Sequence, residues 1–283
     1  MAELPAHLAA ALDRRVTADD VIAAAPVAAL WATFGRAGAP PAIGGTLPPL
    51  WHGLFCTPKL PPDRLADDGL PQDEALLPGI PDLPQRLFAG ARFTFHQPLK
   101  IGDPIKKESR IARFEPKEGK SGPLLFATVE HRVSGPGGLA VTEENDIVYR
   151  KPAGGGGGGA PAAAEMPQTP WRATIDPDPV LLFRHSAATF NSHRVHYDRR
   201  YAQAHGMPGL LVQGMLIARL MLELVNRERP GPVARFSFRS GRPLYDTAPF
   251  TLAGAPGADG ASARLWAIDA DGGVAMTAEL GFG

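Results

Sequence analysis

The sequence predicts an α+β protein of two similar halves fused in one chain, each an antiparallel sheet wrapped on a helix. Three observations predict it. The chain repeats its own motifs in order, a glycine-rich tract divides the repeats, and one strongly apolar helix precedes an antiparallel run of strand-like segments.

The repeats come first, because self-similarity settles architecture before any local assignment. Ala32-Thr33-Phe34 recurs as Ala188-Thr189-Phe190. Pro48-Pro49-Leu50-Trp51-His52-Gly53-Leu54 is echoed by Pro208-Gly209-Leu210-Leu211-Val212-Gln213-Gly214-Met215. Ala91-Arg92-Phe93-Thr94-Phe95 recurs as Ala234-Arg235-Phe236-Ser237-Phe238, and the Pro98-Leu99 pair as Pro243-Leu244. Between the copies run six glycines, Gly154 to Gly159, flanked by Pro and Ala. Such a tract is a flexible linker. It is not a phosphate-cradling loop, which needs a strand before it, a helix after it and glycines at set positions. The expected division is an N-terminal half over 1–151, a linker over 152–168 and a C-terminal half over 169–283.

In the first half, Ala18 to Phe34 is expected to be a helix with Thr17 as N-cap and Asp20 three residues on. Residues 51–84 are Pro-rich and irregular where the second half has its long helix. A loop that long in a compact domain suggests a lid over a cleft. Phe88 to Pro98, Ile105 to Phe114, Pro123 to Val133 and Gly138 to Arg150 follow as strands. In the second half Leu210 to Val225 is nearly all apolar. Its polar exceptions Arg219, Glu223 and Asn226 or Arg227 fall at helical spacing on one narrow stripe, so this helix is buried on most of its surface. Pro230 ends it. Val233 to Ser240, Phe250 to Ala253, Ala261 to Asp269 and Gly273 to Phe282 are the strands after it. A sheet curled around one helix is the hot-dog arrangement, so the chain reads as a double hot-dog.

The 283 residues fit roughly two domains at about 150 residues each. Lys+Arg and Asp+Glu are both 29, which argues against nucleic-acid binding through bulk charge. Cys56 is the only cysteine, so neither an internal disulfide nor a cysteine metal cage is available. No apolar run approaches the ~18 residues of a membrane span, and Met1 to Asp20 reads as neither a signal nor a transit peptide. A cytoplasmic protein without cofactor is expected.

The densest polar stretch, Thr189 to Asp198, lies just before the most apolar helix. Titratable groups beside a core element usually have a function. By the Ala-Thr-Phe match, Asn191, His193 and His196 correspond to Gly35, Ala37 and Pro40, so one copy carries a polar constellation that the other lacks.

This stretch resembles the hydratase 2 motif, Asp-x-Asn-Pro-x-His, of the MaoC-like R-specific enoyl-CoA hydratases. His196 falls at the motif's histidine, His193 at its asparagine and Asn191 at its aspartate. Phe190-Asn191-Ser192-His193-Arg194-Val195-His196-Tyr197-Asp198 is similar to the signature of a double hot-dog branch. That branch holds the type 2 hydroxyacyl-thioester dehydratases and the mesaconyl-C4-CoA (3-methylfumaryl-CoA) and itaconyl-CoA hydratases. The resemblance implies a hydro-lyase acting on an acyl-CoA thioester, such as mesaconyl-C4-CoA going to citramalyl-CoA. A histidine suits the chemistry because its pKa of about 6.5 lets it give and take protons near neutrality. Gly214 matches the glycine whose amide, at a helix N-terminus, stabilises the thioester oxygen as it gains charge.

Asn191 departs from the pattern, because an amide cannot carry a proton. It leaves His196 to make both proton transfers, or to share them with His193. Arg194, Gln213, His52 and Trp51 are expected to contact substrate, Arg194 because its fork matches phosphate and carboxylate groups. A two-histidine metal site with Asp198 or His205 as third ligand is the weaker alternative, and no metal is expected. His185 and His205 are expected to be structural or surface residues, and Cys56 a small apolar filler. A (3R)-hydroxyacyl-thioester dehydratase on straight chains, a thioesterase using Glu223 and a non-catalytic acyl-CoA binder remain as competing functions. Hot-dog faces pair, so a homodimer is compatible with the fold, although the fused halves already form one such pair.

Overall fold

A computed structural model of the chain describes residues 5–73, 75–119, 122–151 and 169–283. The glycine-rich linker expected at 152–168 lies outside the described residues.

Among the described residues ten strands form one sheet in the order β1-β3-β4-β5-β2-β7-β10-β9-β8-β6. In the first half these are β1 (Arg15–Val21), β2 (Gln85–Phe95), β3 (Pro104–Gly119), β4 (Gly122–Gly135) and β5 (Gly138–Arg150). In the second they are β6 (Trp171–Ile175), β7 (Val233–Ser240), β8 (Phe250–Pro256), β9 (Ser262–Ile268) and β10 (Val274–Phe282). Every pairing is antiparallel, and the order in one half mirrors the order in the other. The halves join where β2 pairs with β7, and Phe93 stands opposite Phe236. Those two phenylalanines are counterparts in the sequence repeat, so the pseudo-two-fold axis passes between them. The duplication seen in sequence is thus a symmetry of the double hot-dog sheet.

The helices are α1 (Ala6–Leu12), α2 (Ala24–Thr33), α3 (Pro179–Ala188), α4 (Arg199–Ala204) and α5 (Gly214–Glu228). The helix expected over Ala18–Phe34 is corrected. Residues 15–21 pair with β3 as an edge strand, Thr17 lies opposite Glu108 and caps nothing, and the helix begins only at Ala24. Pro26 explains the start: proline is tolerated in a helix's first turn but not in its interior.

The apolar helix also starts later than expected, at Gly214 rather than Leu210. Leu210 to Gln213 run extended because partners distant in sequence claim their backbone. Leu211 N–H donates to the Val195 carbonyl (2.9 Å), Val212 N–H to that of Leu244 (2.9 Å), and Leu210 N–H to Asp246 Oδ1 (2.8 Å). Within α5, Leu216, Ile217, Leu220, Met221, Leu222, Leu224 and Val225 are all buried. At about 1.5–3 kcal/mol for each such side chain, this is the main apolar commitment of the second half.

Among the described residues the first half has no matching helix. Trp51–Leu54 forms a single 3₁₀ turn where α5 would begin, and two smaller cores, under α2 and under α1, fill the space.

Candidate active site

Helix α3 is opened by Asp178, whose carboxylate accepts from the N–H groups of Val180 and Leu181. It closes in a Schellman turn. Phe190 N–H donates to the Ala187 carbonyl (3.3 Å) and Asn191 N–H to that of Ser186 (2.8 Å). Helix α2 ends identically, with Gly35 donating to Ala32 and Arg36 to Trp31. The left-handed position is therefore Gly35 in one copy (φ 61) and Phe190 in the other (φ 51). This moves the correspondence by one residue: the structural counterpart of Asn191 is Arg36, not Gly35. A phenylalanine held left-handed costs about 1–3 kcal/mol and marks a constrained site.

His196 closes a short 3₁₀ turn, Arg194–His196, and is 8% exposed. Its Nδ1 is 2.7 Å from the Leu211 carbonyl oxygen, which only accepts, so the proton sits on Nδ1. Among the described residues Nε2 has no hydrogen-bond partner. Burial pushes this imidazole down to about 4; neighbouring His193 lowers it too, against the opposing Leu211 bond. The His193 ring stands edge-on to it at 5.3 Å and is also lowered by burial. Asn191 Oδ1 accepts the His193 N–H at 3.1 Å, so its oxygen is engaged in its own turn.

The Leu211 carbonyl ties His196 to the segment that opens α5. Gln213 is the N-cap but offers no side-chain cap, so the first amides of the helix, Gly214 and Met215, keep their N–H groups for another acceptor. A Cβ on Gly214 would approach nothing nearer than Met276 Cε at 3.8 Å. Neither packing nor φ demands glycine there.

A cleft of about 430 Å³ opens beside the turn that follows α3. One wall is the first-half loop, with Pro58, Leu60, Leu65 and Leu70; the other is α3 and the turn after it, with Phe183, Ser186, Phe190, Asn191 and Tyr197. The loop tip docks on the histidine segment. Arg194 N–H donates to the Asp68 carbonyl (2.8 Å) and Ser192 Oγ to that of Gly69 (2.6 Å). At Gly69, φ is +84 and a Cβ would collide with the Ser192 carbonyl.

Of the expected site residues, the His193 and His196 rings stand together and Asn191 is on the cleft wall, whereas His193, His196 and Gly214 are not among the residues that line the cleft. The expected substrate contacts each have partners within the protein. Arg194 has its guanidinium engaged by Asp198 (2.8 Å) and Asp67 (3.1 Å) over the Tyr201 ring, so it clamps the loop. Gln213 is buried and donates to the Leu182 carbonyl and Ser186 Oγ, tying α3 to α5. Trp51 is a core residue, packed edge-on against Trp31 and Phe34. His52 is buried against Glu143 (3.0 Å) and does not line the cleft. Burial alone would raise Glu143, but hydrogen bonds from His52 and Asn145 and the nearby His131 hold it at about 2.

Glu223 is bound through both oxygens by Arg36, at 2.6 Å each, which leaves it no freedom to serve a thioester. His205 stacks on Tyr201 and Asp198 caps α4, and among the described residues no three His, Cys, Asp or Glu side chains converge as a metal site. Cys56 is buried, and burial raises its thiol. Sequence reasoning missed the buried Arg219, which donates to the Leu50 carbonyl and to His185 Nε2. A cation on the stripe of an otherwise apolar helix was the available signal.

The model of the family "Hydroxyacyl-thioester dehydratase type 2" matches residues 50–246, which span the loop, the histidine segment and α5. The chain belongs to the type 2 hydroxyacyl-thioester dehydratase family. Its relatives in this dehydratase family include a mesaconyl-C(4)-CoA hydratase of Chloroflexus aurantiacus, 44% identical over 93% of this chain and 94% of that one. The mitochondrial type 2 hydroxyacyl-thioester dehydratase of Schizosaccharomyces pombe is 25% identical over 73% of this chain and 77% of its own. Among solved structures, HtdX from Mycobacterium tuberculosis matches with a TM-score of 0.64 at 21% identity, covering 94% of this chain and 99% of that one. A second M. tuberculosis protein, described as a double hotdog fold, matches with a TM-score of 0.55 at 15% identity over 94% of each chain. The dehydratase family is one of hydro-lyases, and no described helix is long and apolar enough to cross a membrane.

Proposed function

We propose that this protein adds water across the double bond of a short enoyl-CoA thioester, with mesaconyl-C4-CoA as its substrate. The observation that carries the proposal is His196: a neutral imidazole with its proton fixed on Nδ1, Nε2 unbonded, and its anchor the strand that leads into the free amides of α5. The 44% identity to the Chloroflexus hydratase supports the choice of substrate.

In the hydration direction His196 Nε2 takes a proton from water as the oxygen bonds to the β-carbon. The thioester oxygen gains negative charge and is held by the Gly214 and Met215 N–H groups at the positive end of α5. The imidazolium then returns a proton to the α-carbon. The first-half loop closes one wall of the cleft as a docked lid, and the enzyme works in the cytoplasm, where its one buried thiol stays reduced.

The test is mass spectrometry of an enoyl-CoA panel incubated with the protein. Mesaconyl-C4-CoA is expected to gain the mass of one water faster than crotonyl-CoA. Failure to hydrate any member of the panel, or release of free CoA instead, overturns the proposal.

A further inference from the structure

A bulge in β2 turns one side chain of the first half toward α5. The register between β2 and β5 slips between Phe88 and Gly90, which leaves Ala89 as the extra residue. Strict alternation from Phe93 and Ala91, both buried, would send Phe88 to the outer face with Arg92. The extra residue sends it to the inner face instead, where its ring meets that of buried Phe238 at 5.8 Å. Bulges re-aim side chains in this way beside functional sites. Gly90 permits the close approach of β7, because a Cβ there would fall on the Phe238 carbonyl oxygen.

Phe88 reaches the start of α5. A Cβ on Gly214 would stand 3.9 Å from Phe88 Cδ1, 3.9 Å from Ser240 Oγ and 3.8 Å from Met276 Cε. Side chains of β2, β7 and β10 thus converge on the first turn of the helix, and none of the three is charged. Phe88 keeps 37% of its surface exposed, Ser240 is exposed, and Gly214 and Met215 are half-buried, so the turn is open to solvent here. None of these residues lines the cleft beside the first-half loop. The pseudo-symmetric position differs on both counts. The repeat places Gly231 where the first half has Phe88, and a Cβ on Gly53 would meet Arg219 Nη2 at 2.9 Å. Only the glycine of α5 is both open and given an aromatic wall.

We propose that Phe88 is a substrate-binding residue contributed by the first half. The thioester sulfur and the first methylenes of the carrier arm lie against its ring while the carbonyl oxygen accepts from the Gly214 and Met215 N–H groups. An aromatic ring beside a methionine thioether suits sulfur and methylenes, which are uncharged and polarisable. A phosphate would require cations that this rim lacks. The Ser240 hydroxyl, which can donate and accept, suits an amide of the same arm. The arm then runs out across the β2–β7 seam between the halves.

The inference rests on the hydratase reading, and butyryl-CoA separates the two, since it can bind but has no double bond to hydrate. Phe88→Ala is expected to raise the Kd of butyryl-CoA about ten-fold in calorimetry, and KM for the enoyl-CoA similarly, with kcat within about three-fold. Phe88→Tyr keeps the ring and should stay within about two-fold of wild type, as should Leu87→Ala, a comparably exposed neighbour on the strand's opposite face. A merely structural role predicts a lower melting temperature for Phe88→Ala with Kd unchanged in the folded protein. A crystal structure with butyryl-CoA should show the sulfur beside the Phe88 ring and the carbonyl oxygen at the Gly214 amide, a result that does not depend on the variants folding. No binding of butyryl-CoA, an unchanged Kd in Phe88→Ala, or a thioester seated away from Phe88 overturns this inference, while turnover of the enoyl-CoA panel still decides the hydratase reading. A wild type that binds butyryl-CoA against Phe88 and hydrates no enoyl-CoA overturns the hydratase reading alone.

Discussion

The two halves share a plan and differ at one helix. Each has an edge strand, a ten-residue helix ending in a Schellman turn, a proline-containing approach to a glycine, and four further strands. After that glycine the second half builds α5 from Gly214 to Glu228, whereas the first half makes one 3₁₀ turn around Gly53. Its histidine meets a different fate as a result. His52 is bonded through Nε2 to the Glu143 carboxylate inside a closed core, while His196 is bonded through Nδ1 to a backbone carbonyl. The chain that is not helix in the first half becomes the loop that walls the cleft of the second. One copy has given up its own cleft and serves the other's.

The largest test of that contrast exchanges the two histidines' roles. His196→Ala should lower kcat by about 10²–10⁴-fold with little change in the urea midpoint. His52→Leu should do the reverse, leaving Glu143 buried with the Asn145 amide as its remaining donor, at a cost of about 3–5 kcal/mol while the folded fraction keeps its kcat. A His52→Leu protein as stable as wild type but equally inactive would make the first half a second active centre.

Gly69→Ala tests whether the degenerate half serves the other. With φ +84 and the Ser192 carbonyl in the way, the loop tip must lift. The expected result is a raised KM and faster proteolysis within residues 57–73, with a loss of about 1–3 kcal/mol. Unchanged KM would show that docking is irrelevant to the cleft.

The paired glycines sharpen the comparison further. A Cβ at Gly53 would stand 2.9 Å from Arg219 Nη2, which is held by hydrogen bonds, so Gly53→Ala should lower stability by about 1–3 kcal/mol. Gly214→Ala meets only ordinary contacts, and alanine favours helix by up to about 1 kcal/mol. It should keep or raise the melting temperature while kcat falls, because the added methyl stands in the thioester's approach.

The smallest effect is in pH. An unfolded chain protonates its histidines near 6.5, but native His196 does so at about 4. Between these values the unfolded state binds more protons, so stability falls as pH drops from about 6.5 to about 4. The base stays unprotonated over the same window, so kcat/KM should hold steady down to about pH 5 and fall below it. An acidic limb centred at 6.5 would show a solvated ring and remove the contrast in burial between native and unfolded states.

The sequence by itself determined the duplication, eight of the ten strands, the buried helix and the histidine segment. These depend on local period, on turn residues and on motifs that need no distant partner. Pro26 also carried the true start of α2, though the cap pattern at Thr17 pointed elsewhere. Only the tertiary structure decided that Leu210 to Gln213 run extended, that Arg194 holds the loop, that Trp51 and His52 face the core, and that Arg219 and His185 form a buried pair. In each case the deciding partner lies well outside the local sequence window, as with Leu50 and Arg219 or Asp67 and Arg194. A buried polar group takes whichever partner the fold brings to it, and side-chain spacing along the chain carries no record of that choice.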